Sequence, residues 1–109
     1  APWMTALGND YGYEHVFARQ LMNYGDTGDI VIAMSVSGSS ANIVRGLKQG
    51  RASGLKTVLL TGANKNCPAA HDSDLVVAVP SSHFGRVEDA HMTICHLIAY
   101  SFMEKREGN

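Results

Sequence analysis

The sequence predicts an α/β domain, a parallel sheet covered by helices on both faces. Three observations carry this. Short unbroken apolar runs alternate with longer segments of helical period. The runs lack the polar alternation of half-exposed strands, as strands of buried parallel sheets do. Glycine or proline bounds each run, and strands alternating with helices make βαβ units. The chain has 109 residues, the length of one domain. No repeat, charge block or Ser/Pro linker divides it, so residues 1–109 are read as a single domain.

The elements follow in order. Tyr13, Phe17, Leu21 and Tyr24 fall on one helical face, with Asn9 or Asp10 ahead of them as a cap. Asp29 leads into Ile30–Met34, an apolar run between Gly28 and Gly38 that reads as a strand buried on both faces. Ile43, Leu47 and Arg51 mark a helix stopped near Gly54. Thr57–Thr61 is a second strand, ended by Gly62 and followed by a polar loop through Asn64, Lys65 and Asn66. Leu75–Val79 is a third strand, closed by Pro80. From Arg86 to about Glu104, the residues Val87, Ala90, Ile94, Ile98 and Phe102 form a long apolar stripe. Three strands are few for such a sheet. A missing N-terminal helix and strand, or a partner chain over the sheet edge, is therefore expected.

Charge and composition exclude several classes. Nine Lys+Arg against ten Asp+Glu give a net charge of −1, which offers no attraction to nucleic-acid backbone or anionic membrane. The apolar runs are far shorter than the roughly 20 residues that span a bilayer. The Ala-Pro-Trp-Met start has neither the basic nor the apolar region of a signal peptide. Cys67 and Cys95 make neither a disulfide framework nor a four-thiolate zinc site, so a cytoplasmic location is expected.

The chemistry concentrates between the first strand and its crossover helix, in Ser35-Val36-Ser37-Gly38-Ser39-Ser40-Ala41-Asn42. Ligands of open α/β sheets bind outside the carboxyl ends of the strands. A loop there presents backbone N–H groups, four hydroxyls and a helix N-terminus to one point, which suits an anion. Gly38 permits the tight turn. Hydroxyls donate without adding charge, which suits a phosphate monoester that must be released. The stretch is neither a P-loop nor a dinucleotide fingerprint. Taken alone it also reads as a Ser-rich turn with an N-cap.

With Gly28–Ile32 ahead of it and Ile43 behind, this stretch resembles the signature of the sugar isomerase (SIS) domain family. Asn9 to Leu21 is similar to the phosphoheptose isomerase branch of that family, as is Val79-Pro80-Ser81 followed by Arg86 through His96. The resemblance implies a flavodoxin-like three-layer αβα sandwich, assembled as a homodimer or homotetramer. It implies a phosphosugar isomerase of the sedoheptulose 7-phosphate type, an aldose–ketose isomerase working by proton transfer. The alternative is a non-catalytic SIS module that binds a phosphosugar or another protein. It further implies phosphate binding by Ser35, Ser37 and Ser40 around Gly38 and Ser39, and sugar contacts from Asn9 and Asp10. Glu88 and His96 take the catalytic positions. No cofactor is required; if a divalent metal binds, Glu88 and His96 are its expected ligands and zinc the expected ion.

Glu88, Met92 and His96 step along one side of a helix at i+4 intervals. Glu88 and His96 are therefore expected to face the sheet end beside the loop, with His91 and Cys95 turned to the core as packing residues. Several departures from the family stand out. Its catalytic Glu and first strand lie upstream of anything here, so the domain is expected to be N-terminally incomplete. Ser39 replaces a usual Asn, Glu88 a usual Gln, and Gly85 an often polar residue. His15, His71 and His83 carry no motif.

Overall fold

The computed structural model describes residues 16–107. In order they form α1 (Val16–Tyr24), β1 (Ile30–Ser35), α2 (Ala41–Ala52), β2 (Lys56–Thr61), a 3-10 turn (Pro68–Asp72), β3 (Leu75–Ala78) and α3 (Phe84–Glu107). The expected capping and sugar-contacting residues Asn9 and Asp10 lie outside the described residues, as does Tyr13.

The three strands are parallel in the order β1-β2-β3, with Ile30 opposite Lys56 and Val58 opposite Leu75. Parallel neighbours need a crossover; α2 supplies the first. α2 stops as the sequence predicts. Gly54 has φ +78°, its N–H donates to the Arg51 carbonyl, and the Leu55 N–H donates to Gly50. These two bonds satisfy carbonyls that the helix end leaves open. The polar stretch after β2 also contains an element that the sequence reading did not separate. Pro68 opens the 3-10 turn, where its missing N–H costs nothing, and one turn is too short to show a period.

One face of the sheet is well covered. Leu47 of α2 and Leu59 of β2 are buried with Cys67 and Ala69, and Val31, Ala33, Ile43, Val44 and Val76 pack around them. Each large side chain so buried contributes about 1.5–3 kcal/mol. α1 packs on α2 across Gly46, where a Cβ would stand 3.1 Å from Phe17 Cβ.

The other face departs from the expectation of strands buried on both sides. β1 alternates, and Ile30, Ile32 and Met34 are exposed. The reason is α3. It crosses this face near the carboxyl ends, with Val87 wholly buried and Cys95 Sγ 3.9 Å from Met34 Sδ. The rest of the apolar stripe runs on past the sheet. Ile98 is 38% and Phe102 67% exposed, beside exposed Leu97, Tyr100 and Met103. The third layer is thus partial among the described residues. No helix there is long and apolar enough to cross a membrane.

At the amino end of the sheet, β2 is locked to the approach to β3. The Thr57 N–H donates to Asp74 Oδ2 at 2.8 Å, Thr57 Oγ1 donates to the Asp72 carbonyl, and the Asp74 N–H returns to Thr57.

Candidate functional site

The carboxyl end of β1 runs into the serine loop. Ser35 Oγ accepts the Gly38 N–H at 2.9 Å, and Ser37 Oγ accepts both the N–H and the hydroxyl of Ser39 at 3.3 and 3.1 Å. Accepting these bonds leaves the Ser35 and Ser37 O–H groups as donors. Gly38 has φ +65°, and a Cβ there would stand 2.8 Å from Cys67 Cβ and 3.1 Å from Thr61 Oγ1. Only glycine fits both the backbone conformation and the space.

α2 starts at this loop. Ser40 is its N-cap residue, with extended φ −64° and ψ 129°, yet its hydroxyl makes no capping bond. No acidic residue sits in the first turn. The opening N–H groups of a twelve-residue helix, together with the positive end of its dipole, are therefore turned toward the loop. The arrangement can hold an anion by neutral donors alone.

The loop is held from below. Thr61 Oγ1 and the Gly62 N–H both donate to the Val36 carbonyl, at 3.4 and 3.1 Å, and the Ala69 N–H donates to the Gly38 carbonyl at 2.9 Å. Cys67 is buried against Gly38, its sulfur 3.9 Å from Thr61 Oγ1.

Beside the loop, α3 closes a cavity of about 300 Å³ lined by Met34, Ser35, Val36, Glu88, His91 and Met92. The structure thus brings Glu88 to Ser35. It does not bring His96 there. His96 is exposed two turns further along α3 and is not among the lining side chains, contrary to the expected shared orientation. At 100° per residue Met92 lies close to Glu88, whereas His96 has turned about 80° away. His91 is turned inward as expected, 3% exposed, with Nε2 3.0 Å from the Thr61 carbonyl. Cys95 is half-buried against Met34.

Zinc takes three or four protein ligands. Glu88 and His96 supply two, and among the described residues no group of three His, Cys, Asp or Glu side chains converges. The described residues alone do not make a zinc site.

Sequence reasoning named the loop but not its supports. Thr61 closes an apolar run, and Cys67 sits in a polar one. Neither carries a motif. The signal that points to Thr61 is a hydroxyl in a fully buried strand, which must find a partner.

Comparison with known proteins agrees with the fold. The SIS domain family model matches residues 3–62, and the chain belongs to this family. It is 38% identical over 95 residues to a phosphoheptose isomerase from Rhodospirillum rubrum and 43% identical over 95 residues to one from Aneurinibacillus thermoaerophilus. Each alignment covers 87% of this chain, but 50% and 48% of the relative. The chain therefore spans about half the length of these relatives. A solved phosphoheptose isomerase from Neisseria gonorrhoeae superposes with a TM-score of 0.82 at 34% identity, over 88% of this chain and 54% of that one. One from Francisella tularensis gives 0.83 at 28% identity, over 88% and 51%.

Proposed function

We propose that this chain forms the phosphate-binding part of a phosphoheptose isomerase acting on a sugar phosphate of the sedoheptulose 7-phosphate type. The observation that supports it most is the loop. Neutral hydroxyls, a left-handed glycine and an uncapped helix N-terminus converge beside a cavity that also holds a carboxylate. Ser35, Ser37 and Ser40 donate to the phosphate, Gly38 and Ser39 shape the turn, and Asn9 and Asp10 contact the sugar.

The reaction moves a carbonyl by one carbon. A base removes a proton from C1 of the ketose, whose carbonyl is at C2. The C1–H electron pair becomes the enediol double bond, and a proton is delivered to the C2 oxygen. Loss of the C1 hydroxyl proton then makes the aldehyde, while C2 takes a proton. Acid and base each contribute roughly 10²–10⁴-fold. Glu88 stands at the cavity, and His96 is the acid, an imidazole whose ring N–H can be given up and retaken.

His96 reaches substrate only from a neighbouring copy or after a rearrangement of α3. This supports a homo-oligomer, dimer or tetramer, in which the exposed apolar half of α3 packs against another subunit. A divalent ion on Glu88 and His96 needs a further donor from substrate or a neighbour, and no step proposed here uses one. The two free thiols, Cys67 and Cys95, fit a cytoplasmic protein.

The test is a titration of backbone amides with sedoheptulose 7-phosphate and with inorganic phosphate. Shifts confined to residues 35–42 and the first turn of α2 are expected with both ligands, and further shifts around Glu88 with the sugar phosphate alone. An unperturbed loop with both ligands refutes the phosphate assignment. Binding without turnover by the oligomer favours the non-catalytic module.

A further inference from the structure

We propose that His91 is a positioning residue that sets α3, and with it Glu88, in register with the serine loop by way of Thr61. The proposal rests on reading the loop as the phosphate site.

His91 is 3% exposed and sits one turn along α3 from Glu88. Its Nε2 lies 3.0 Å from the Thr61 carbonyl oxygen. A carbonyl only accepts, so Nε2 carries the hydrogen and donates. That carbonyl also accepts the Val79 N–H at 3.1 Å, which engages both of its lone pairs. On the same residue, Oγ1 donates to the Val36 carbonyl of the loop. One fully buried threonine thus holds the loop with its side chain and α3 with its backbone.

The direction of this bond matters because the apolar contacts of α3 described above lack one. Val87 and the Cys95–Met34 pair are apolar or soft, and such contacts tolerate sliding and rotation. A slip of one residue moves a helix by about 1.5 Å and turns it by about 100°. That is enough to carry Glu88 out of a cavity it shares with Ser35. A buried imidazole is unfavourable without a partner, so its bond selects one register.

The experiment compares the full chain with His91→Leu, which removes the donor, and His91→Gln, which keeps one at similar reach. Three readouts are taken: the tautomer of His91 by imidazole ¹⁵N shifts, methyl cross-peaks between Met92 and the Met34 and Val36 pair, and the affinities for inorganic phosphate and sedoheptulose 7-phosphate. In the parent, the Nε2–H tautomer and the cross-peaks are expected. His91→Leu should lose the cross-peaks and hold phosphate within about twofold. It should bind the sugar phosphate about tenfold more weakly. His91→Gln should restore both.

An Nδ1–H tautomer overturns the proposal, as do intact cross-peaks in a folded His91→Leu protein. Equal loss of both ligands also overturns it, since that is a packing defect. Should His91→Leu not fold, the parent tautomer and the cross-peaks of His91→Gln decide. If the parent binds neither ligand at residues 35–42, the phosphate reading fails, while the tautomer and cross-peaks still decide the register.

Discussion

β2 carries a threonine near each end, Thr57 and Thr61, four residues apart on the same face and both fully buried. Their surroundings differ. Thr57 sits in a closed exchange with Asp72 and Asp74, where each group finds its partner within the chain. Thr61 lies under the serine loop, whose hydroxyls and helix N–H groups keep donors for something else. The same residue at the same burial locks one end of the sheet and equips the other. The partners around it make the difference, and the carboxyl end is where α/β sheets take ligands.

The largest expected effect is at Gly38. Gly38→Val forces a branched side chain into φ +65° and into the space of Cys67. Strain and overpacking together should cost about 2–4 kcal/mol and abolish phosphate binding. Denaturant midpoints and phosphate titration check both.

Exchanging the threonines separates the two ends. Thr57→Val removes a hydroxyl that bonds Asp72 and Asp74 and should lower stability by about 1–3 kcal/mol with phosphate affinity unchanged. Thr61→Val removes the longer bond to Val36, 3.4 Å, and the weak contact with the Cys67 sulfur, 3.9 Å. It should cost about 0.5–1 kcal/mol but loosen the loop and weaken phosphate severalfold. Equal effects on phosphate would erase the distinction between the ends.

The locked end also sets a pH dependence. Asp74 is held below its ordinary carboxylate value, chiefly by the Thr57 N–H, against an opposing desolvation; the Thr57 hydroxyl, Arg51 and Lys56 add to the lowering. A carboxylate with a depressed folded-state pKa stabilises the protein above its unfolded value, ordinarily near 3.8. That contribution is lost as pH falls through the lower folded value. Asp74→Asn should therefore shallow the loss of stability below about pH 4 in urea titrations. Phosphate-induced shifts at the loop should be the same as in the parent at neutral pH.

These contrasts mirror what the sequence discloses. Ile30–Met34, Thr57–Thr61 and Leu75–Val79 are legible as strands because apolar runs between glycines and prolines are local signals. The serine loop is legible because its glycine and hydroxyls are contiguous. The exposed face of β1 is not, since an apolar run reads alike whether or not a helix covers it; Ile30, Ile32 and Met34 look as buried as Val31 and Ala33. The pairing of Thr61 with His91 spans thirty residues and depends on where α3 crosses the sheet. Helical spacing orders Glu88, His91 and His96 around an axis. It does not say which part of that surface meets the cavity; Cys95 still touches Met34, while His96 beside it is turned to the exterior.

The smallest stability effect, and the sharpest test of the open end, is at Ser40. A serine that caps a helix by its side chain loses about 1 kcal/mol on change to alanine. Ser40 occupies the cap position of α2 but makes no side-chain capping bond, so Ser40→Ala should change stability by no more than about 0.5 kcal/mol. In the proposed function its hydroxyl instead donates to the phosphate at the helix N-terminus. Losing one such charge-assisted bond should weaken phosphate by roughly tenfold. A ligand-silent variant with a lowered denaturant midpoint would return Ser40 to the role of an ordinary cap. A stable variant that binds phosphate weakly would show that the cap position of α2 serves the ligand rather than the helix.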